Sequence, residues 1–301
     1  MKQNKRNETD GKRIEMLIKK IVPLCFALCL VLSSCGAGET EKTNTVYTTF
    51  YAVYDLTKQI AGDKADVVQL VPSGSGAHDY EPTAADIAKL SEAKALIYCG
   101  TVDTYIDGIK ETVGKAGVKT LDTAAAANIA EDAGDPHIWL DPDNALAQMT
   151  AIAELLSELD PSNSAYYSSR LSTASDNIEE LKGEIEGLKA TAVKHDIIVS
   201  HAAYGYLCDC LGITQHAAES GAGEGADPTA KQMAELTELA KANNINIIFA
   251  QRNESDKTAR ALASEIGGDV MLLDPLETDT GSGNYFDVMR RNILALGTAL
   301  S

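Results

Sequence analysis

Tryptophan occurs once and histidine five times in these 301 residues. Basic charge is also scarce, with 26 Lys and Arg against 44 Asp and Glu and a net charge of −18. Seven of those basic residues and three of the acidic ones precede residue 36, so the rest of the chain carries about −22. Such a surface repels phosphate backbones and excludes a nucleic-acid partner. It suits a domain that lives among cations. Beyond residue 35 only Cys99, Cys208 and Cys210 remain, which is no disulfide framework. They read as buried thiols acting as small hydrophobes. Cys208 and Cys210, placed i and i+2 on a helix, face apart. No internal repeat is visible. SGSGAH (73–78) has glycines, but neither the P-loop lysine nor the dinucleotide-binding spacing.

The one long apolar run lies at the front. Met16 to Cys35 reads MLIKKIVPLCFALCLVLSSC, two lysines and then an apolar stretch from Ile21 to Leu32. That is the pattern of an export signal, and it is short for a membrane-spanning helix. Met16 is a candidate translation start, because residues 1–15 are unlike a signal. Leu32-Ser33-Ser34-Cys35 resembles a bacterial lipobox. The resemblance implies that Cys35 is lipidated, where the alternative is an ordinary secretory signal. Residues 36–45 then read as a flexible tether.

The remainder alternates two patterns. VYTTFY (46–51), DVVQLV (66–71), ALIYC (95–99), DIIVS (196–200), INIIFA (245–250) and DVMLL (269–273) are apolar and β-branched. They predict buried strands. Between them PTAADIAKLSEA, PDNALAQMTAIAELLSEL, PTAKQMAELTELAKAN and DKTARALASEIGG predict amphipathic helices. Strand–helix alternation with near-continuous apolar strands predicts an α/β fold with mainly parallel sheets flanked by helices. Residues 164–194 break the rhythm with one uninterrupted helical stretch of roughly 45 Å. It predicts a backbone helix joining two α/β lobes, 46–163 and 195–301. A coiled-coil partner helix is the alternative, but no sustained heptad supports it.

Four loops carry residues with metal chemistry: PSGSGAHDYEP with His78, GDPHIWLDP with His137, VSHAAYGY with His201, and LLDPLE with Asp274 and Glu277. His201 directly follows one predicted strand and Asp274 another, and ligand-binding groups in open α/β sheets gather at the carboxyl ends of strands. Three imidazoles and one carboxylate suit Zn²⁺. Two Asp-Pro pairs bracket His137 and stiffen its surroundings, because proline fixes its own φ and pushes the preceding residue to extended conformations. Trp139 reads as packing support for that loop. His195 and His216 have no such frame and read as structural.

YDLTKQIAGDKADVVQLVPSGSGAHDYEPTAADIAKL, DPHIWLDP, SHAAYGYL and DPLE followed by YFDVMRRNI occur in one order over residues 45–300. In these the chain resembles the zinc/manganese class of solute-binding lipoproteins of ABC metal importers (cluster A-I, cluster 9). The resemblance implies two α/β lobes bridged by a long helix, with a metal between them. It places the ligands on His78, His137 and His201, with one carboxylate from DPLE as the fourth. Asp274 matches the acidic position of manganese-type members, and Glu277 the glutamate of the NPLE pattern in zinc-type members. Manganese members usually carry a glutamate where His201 stands. A third imidazole suits Zn²⁺ and a harder oxygen suits Mn²⁺, so Zn²⁺ is expected as cargo, with Mn²⁺ the runner-up and a Mn²⁺- or Fe²⁺-binding member of the same family the alternative.

The chain departs from the family in two places. Ser75-Gly76-Ala77 replaces a proline-containing loop before the first histidine. The stretch before the second, AEDAGD, is acidic but has no histidine. The resemblance further implies a monomer on the outer face of a membrane, held by its lipid, that serves a permease and its ATPase. It implies a binding protein and not an enzyme. A zinc hydrolase is the competing class, since a catalytic zinc keeps one position open for water. Some family members are called adhesins, but no adhesive module is recognisable here.

Overall fold

The computed structural model describes residues 44–78, 80–129, 134–218 and 228–301. Among these residues eight short strands form two separate four-stranded sheets, and every pairing is parallel. In the first, β1 (Thr45–Thr48) lies between β2 (Asp66–Gln69) and β3 (Ala95–Tyr98), with β4 (Lys119–Asp122) outside β3. Val46 is in register with Val67 on one side and Ala95 on the other. The second sheet repeats this order. β5 (Asp196–Val199) lies between β6 (Thr214–Ala217) and β7 (Ile247–Gln251), with β8 (Asp269–Leu273) outside β7.

Parallel strands need crossovers, and helices supply them. In the first half these are α1 (Tyr51–Ala61), α2 (Ala84–Ser91) and α3 (Ile106–Lys115), and the single turn α4 (Thr123–Ala126) follows β4. α5 (Pro142–Leu159) then leads to the long α6 (Ser164–Thr191). The second half adds α7 (Gly205–Leu211), α8 (Ala230–Ala242), α9 (Lys257–Ile266) and α10 (Tyr285–Leu300). Several starts are written into the sequence. Asp141 accepts from Asp143 N and Asn144 N while Pro142 occupies the first helical position of α5. Thr229 with Gln232 and Asn284 with Asp287 form capping boxes on α8 and α10.

Six of the strands fall within or beside the predicted runs, and two were not expected. β4 (KTLD) and β6 (TQHA) are polar edge strands that lack a buried core pattern. VYTTFY divides: the strand ends at Thr48, Thr49 turns its hydroxyl to Asp103 at 2.6 Å, and Tyr51 opens α1. The expected joining helix ends at Thr191, three residues early. Its 28 residues span about 42 Å. Tyr167, Ala174, Ile178, Leu181 and Ile185 are its buried stripe, at the spacing of one helical face. That stripe packs on α1 and α5 of the first half and on α7 and α10 of the second.

The core follows the same plan. The largest buried cluster runs through both halves and contains Phe50, Trp139, Leu181, Tyr204, Leu276 and Tyr285. A smaller cluster around Leu90, Leu96, Ile106 and Val113 backs the first sheet, and one around Ile198, Ile248 and Leu262 backs the second. Hydrogen bonds also join the halves. Trp139 Nε1 donates to Pro275 O at 2.7 Å, Tyr285 Oη to Trp139 O at 2.9 Å, and Tyr285 N to Asp55 Oδ2 at 2.7 Å. Among the described residues no helix is long and apolar enough to cross a membrane. The export signal, Cys35, the tether up to residue 43, and residues 130–133 of AEDAGD lie outside the described residues.

Candidate metal centre

The carboxyl ends of the strands deliver the site. β5 ends at Val199 and the chain reaches His201 two residues later. β8 ends at Leu273 and the following turn presents Glu277. His78 comes from the long loop after β2, and His137 from the start of a single 3₁₀ turn, Ile138–Leu140. One donor atom from each of His78, His137, His201 and Glu277 lies within 4.8 Å of the others.

Glu277 Oε1 is the common vertex. It lies 2.8 Å from His137 Nε2, 3.4 Å from His78 Nε2 and 3.7 Å from His201 Nε2. His137, His201 and Glu277 are each at most 5% exposed, and His78 is partly buried, its side chain 11% exposed. The ring centroids of His137 stand 5.4 Å from His78 and 5.3 Å from His201. Among the described residues the buried Nε2 atoms of His78 and His201 have no hydrogen-bond partner. Two partnerless imidazole nitrogens aimed at one carboxylate oxygen are costly unless a cation satisfies them. The donor set fits a tetrahedral zinc site.

The charges are arranged accordingly. Burial raises the cost of ionising Glu277, but the hydrogen bond from His137 and the nearness of the His137 and His78 rings outweigh it and hold the carboxyl well below its ordinary range. Burial also works against the His137 imidazolium, yet Asp135 and Glu277 lift it to about 9. His201 goes the other way: burial, aided by the two neighbouring histidines, lowers it and keeps its ring neutral.

The turn between β8 and α10 separates the two candidate carboxylates. Asp274 Oδ1 accepts from Leu276 N at 2.9 Å and Oδ2 from Thr280 Oγ1 at 2.7 Å. Its backbone is held on both sides by Asn292. Leu276 adopts φ 64°, a left-handed conformation that costs about 1–2 kcal/mol in a non-glycine residue. Asp274 therefore braces the turn, and Glu277 is the carboxylate aimed at the histidines. Gln251 Nε2 steadies the other oxygen of Glu277 at 3.3 Å.

Residues 46–299 match the model of the family described as "ZnuA: Zinc-uptake complex component A periplasmic". The chain belongs to this family. Among relatives of the ZnuA family it is 30% identical over 311 residues to the Bacillus subtilis high-affinity zinc uptake system protein ZnuA, covering 93% of this chain and 96% of that one. It is 33% identical over 305 residues to the zinc-binding lipoprotein AdcA of Streptococcus pneumoniae, covering 93% of this chain but only 60% of that longer protein. Solved structures of the fold include the metal-dependent lipoprotein YcdH of Bacillus subtilis, at TM-score 0.77 and 32% identity, covering 85% of this chain and 99% of that one. The Zn(II)-bound ZnuA-like domain of Streptococcus pneumoniae AdcA follows at TM-score 0.75 and 33% identity, with 86% and 99% covered. A laminin-binding protein of Streptococcus agalactiae, described as a bifunctional adhesin and metal transporter, matches at TM-score 0.77 and 29% identity, with 85% and 99% covered.

In this ZnuA-family chain the remaining sequence candidates stand apart from the cluster. Trp139 is buried, packs its ring 5.5 Å from His137, and uses its only donor on Pro275 O. His216 pairs with Asp196 at 2.7 Å, and Thr214 N donates to the backbone of His195. Cys99, Cys208 and Cys210 are free, and Cys210 is only partly buried. The second Asp-Pro pair serves the start of α5 more than the histidine. Gln251 and Asp135 escaped the sequence reading. Gln251 offers no motif, while Asp135 was visible only as half of an Asp-Pro turn.

Proposed function

We propose that this protein captures Zn²⁺ outside the cell membrane and hands it to the permease of an ABC importer, which an ATPase drives. The observation that carries the proposal is the convergence of His78, His137 and His201 on Glu277 Oε1 in a buried site. These four side chains are the ligands, with Glu277 and not Asp274 as the fourth. Three imidazoles and one carboxylate favour Zn²⁺ over the harder Mn²⁺. Four protein donors leave no open position for an activated water, which favours carriage over hydrolysis.

The protein acts as a monomer, tethered through lipid on Cys35 and residues 36–45. Residues 46–163 and 195–301 act as two lobes joined by 164–194. The cross-lobe bonds of Trp139, Tyr285 and Asp55 resist a wide hinge, so loading moves loops more than lobes. Calorimetric titration with Zn²⁺ tests the ligand set. His137→Ala should lose most of the affinity, and full-strength binding by that variant would contradict the proposal.

A further inference from the structure

Among the four clustered side chains Asp135 hydrogen-bonds to His137, and both of its oxygens are committed. Oδ1 accepts from His137 N at 2.9 Å and lies 2.7 Å from His137 Nδ1. A carboxylate only accepts, so Nδ1 donates to Asp135, and Nε2, which faces Glu277 Oε1, is the nitrogen that can bind a cation once it has lost its proton. Oδ2 accepts from Gly205 N at 3.1 Å, seventy residues further along. Gly205 opens α7, four residues after His201. The next residue back is also held: Tyr204 N donates to Gln215 Oε1 at 3.0 Å.

The approach is tight, and a side chain at 205 would have to displace the Asp135 carboxylate. A Cβ on Gly205 would stand 2.3 Å from Asp135 Oδ2 and 3.1 Å from Gln215 Nε2. Asp135 is thus wedged between the chain that carries His137 and the chain that carries His201, with one oxygen on each.

We infer that Asp135 is the positioning residue of the metal centre. One oxygen fixes the His137 ring and its tautomer, and the other clasps the His201 segment, so that two imidazoles from different halves keep a set spacing before the cation arrives. The inference rests on the reading of His137 and His201 as zinc ligands. Carboxylates behind metal-bound histidines commonly act this way, and prior ordering reduces the cost of binding. Here the same carboxylate also links the two halves at the site.

The test uses Asp135→Ala, Asp135→Asn and Gly205→Ala in the full chain, with His137→Ala as reference. Zn²⁺ affinity is measured by chelator competition, and site geometry by the visible absorption of the Co²⁺-loaded protein. Asp135→Ala should lose about 10–100-fold in affinity and alter the Co²⁺ spectrum. Asp135→Asn keeps an oxygen acceptor for the ring N–H but turns its NH2 towards Gly205 N, so it should keep part of the affinity and fall between wild type and Asp135→Ala. Gly205→Ala leaves Asp135 in the chain but displaces it, and should likewise fall between wild type and Asp135→Ala. If Asp135→Ala does not fold, Gly205→Ala and Asp135→Asn decide. Wild-type affinity in Asp135→Ala and Gly205→Ala, or an affinity loss with an unchanged Co²⁺ spectrum, overturns the positioning role. Wild-type zinc binding by His137→Ala overturns the ligand reading instead.

Discussion

His137 Nε2 lies 2.8 Å from Glu277 Oε1, although 140 residues separate the two in sequence. Each is almost completely buried, and each comes from a different half of the molecule. The pair is the contact around which His78 and His201 gather.

Glu277 and Asp274 should separate by experiment. Glu277→Ala removes a donor and should weaken zinc binding by more than about 100-fold, beyond the usual cost of losing an outer partner. Asp274→Ala leaves Leu276 N and Thr280 Oγ1 without their acceptor and should cost about 1–3 kcal/mol of stability. Its effect on affinity should be the smaller of the two. Thermal melts and chelator competition on both variants check this.

Zinc must displace a proton. With His137 at about 9, its ring is protonated in the metal-free protein at neutral pH, and a ligand imidazole must be neutral. Titrations at pH 7.5 in buffers of different ionisation enthalpy should show release of about one proton per Zn²⁺. Below pH 9 affinity should fall by about tenfold per pH unit for that proton. In the metal-free protein the raised histidine stabilises the fold below 6.5 and loses its effect as pH rises through about 9. The lowered Glu277 stabilises above 4.5 and loses its effect as pH falls. The pair's contribution to the melting temperature should therefore be greatest between about 4.5 and 6.5.

Leu181 is fully buried in the stripe of the long helix. Leu181→Ala should cost about 2–5 kcal/mol through the cavity it leaves. Because the stripe touches helices of both halves, denaturant unfolding should stay a single transition with a lower midpoint and an unchanged slope.

Burial pushes the thiols of Cys99, Cys208 and Cys210 up to about 12, with Asp141 adding to the effect at Cys210. The thiolate is the reactive form. Alkylation of these three at pH 8 should be slow in the native protein and fast in denaturant, as read by mass spectrometry.

The sequence displayed what periodicity can carry. Central strands such as INIIFA are buried on both faces, and their apolar runs are plain. KTLD and TQHA are edge strands whose polar side chains stay exposed or half-buried, so no apolar run marks them. The three histidines were legible as site candidates because each sits in a recognisable loop. Asp274 and Glu277 were not separable, since both lie within one four-residue turn and only the folded turn, with Leu276 left-handed, shows which one faces the histidines. The role of Asp135 was hidden because it is long-range. Its partner Gly205 lies seventy residues away, and the closeness of the two exists only after folding.

Metal content and competition test the account most directly. Protein produced without chelator should carry one Zn²⁺ per chain, lose it to a strong chelator, and regain it in preference to a large excess of Mn²⁺. Stable preference for Mn²⁺, or retention of zinc after His78, His137 and His201 have all been replaced by alanine, would contradict the central claim.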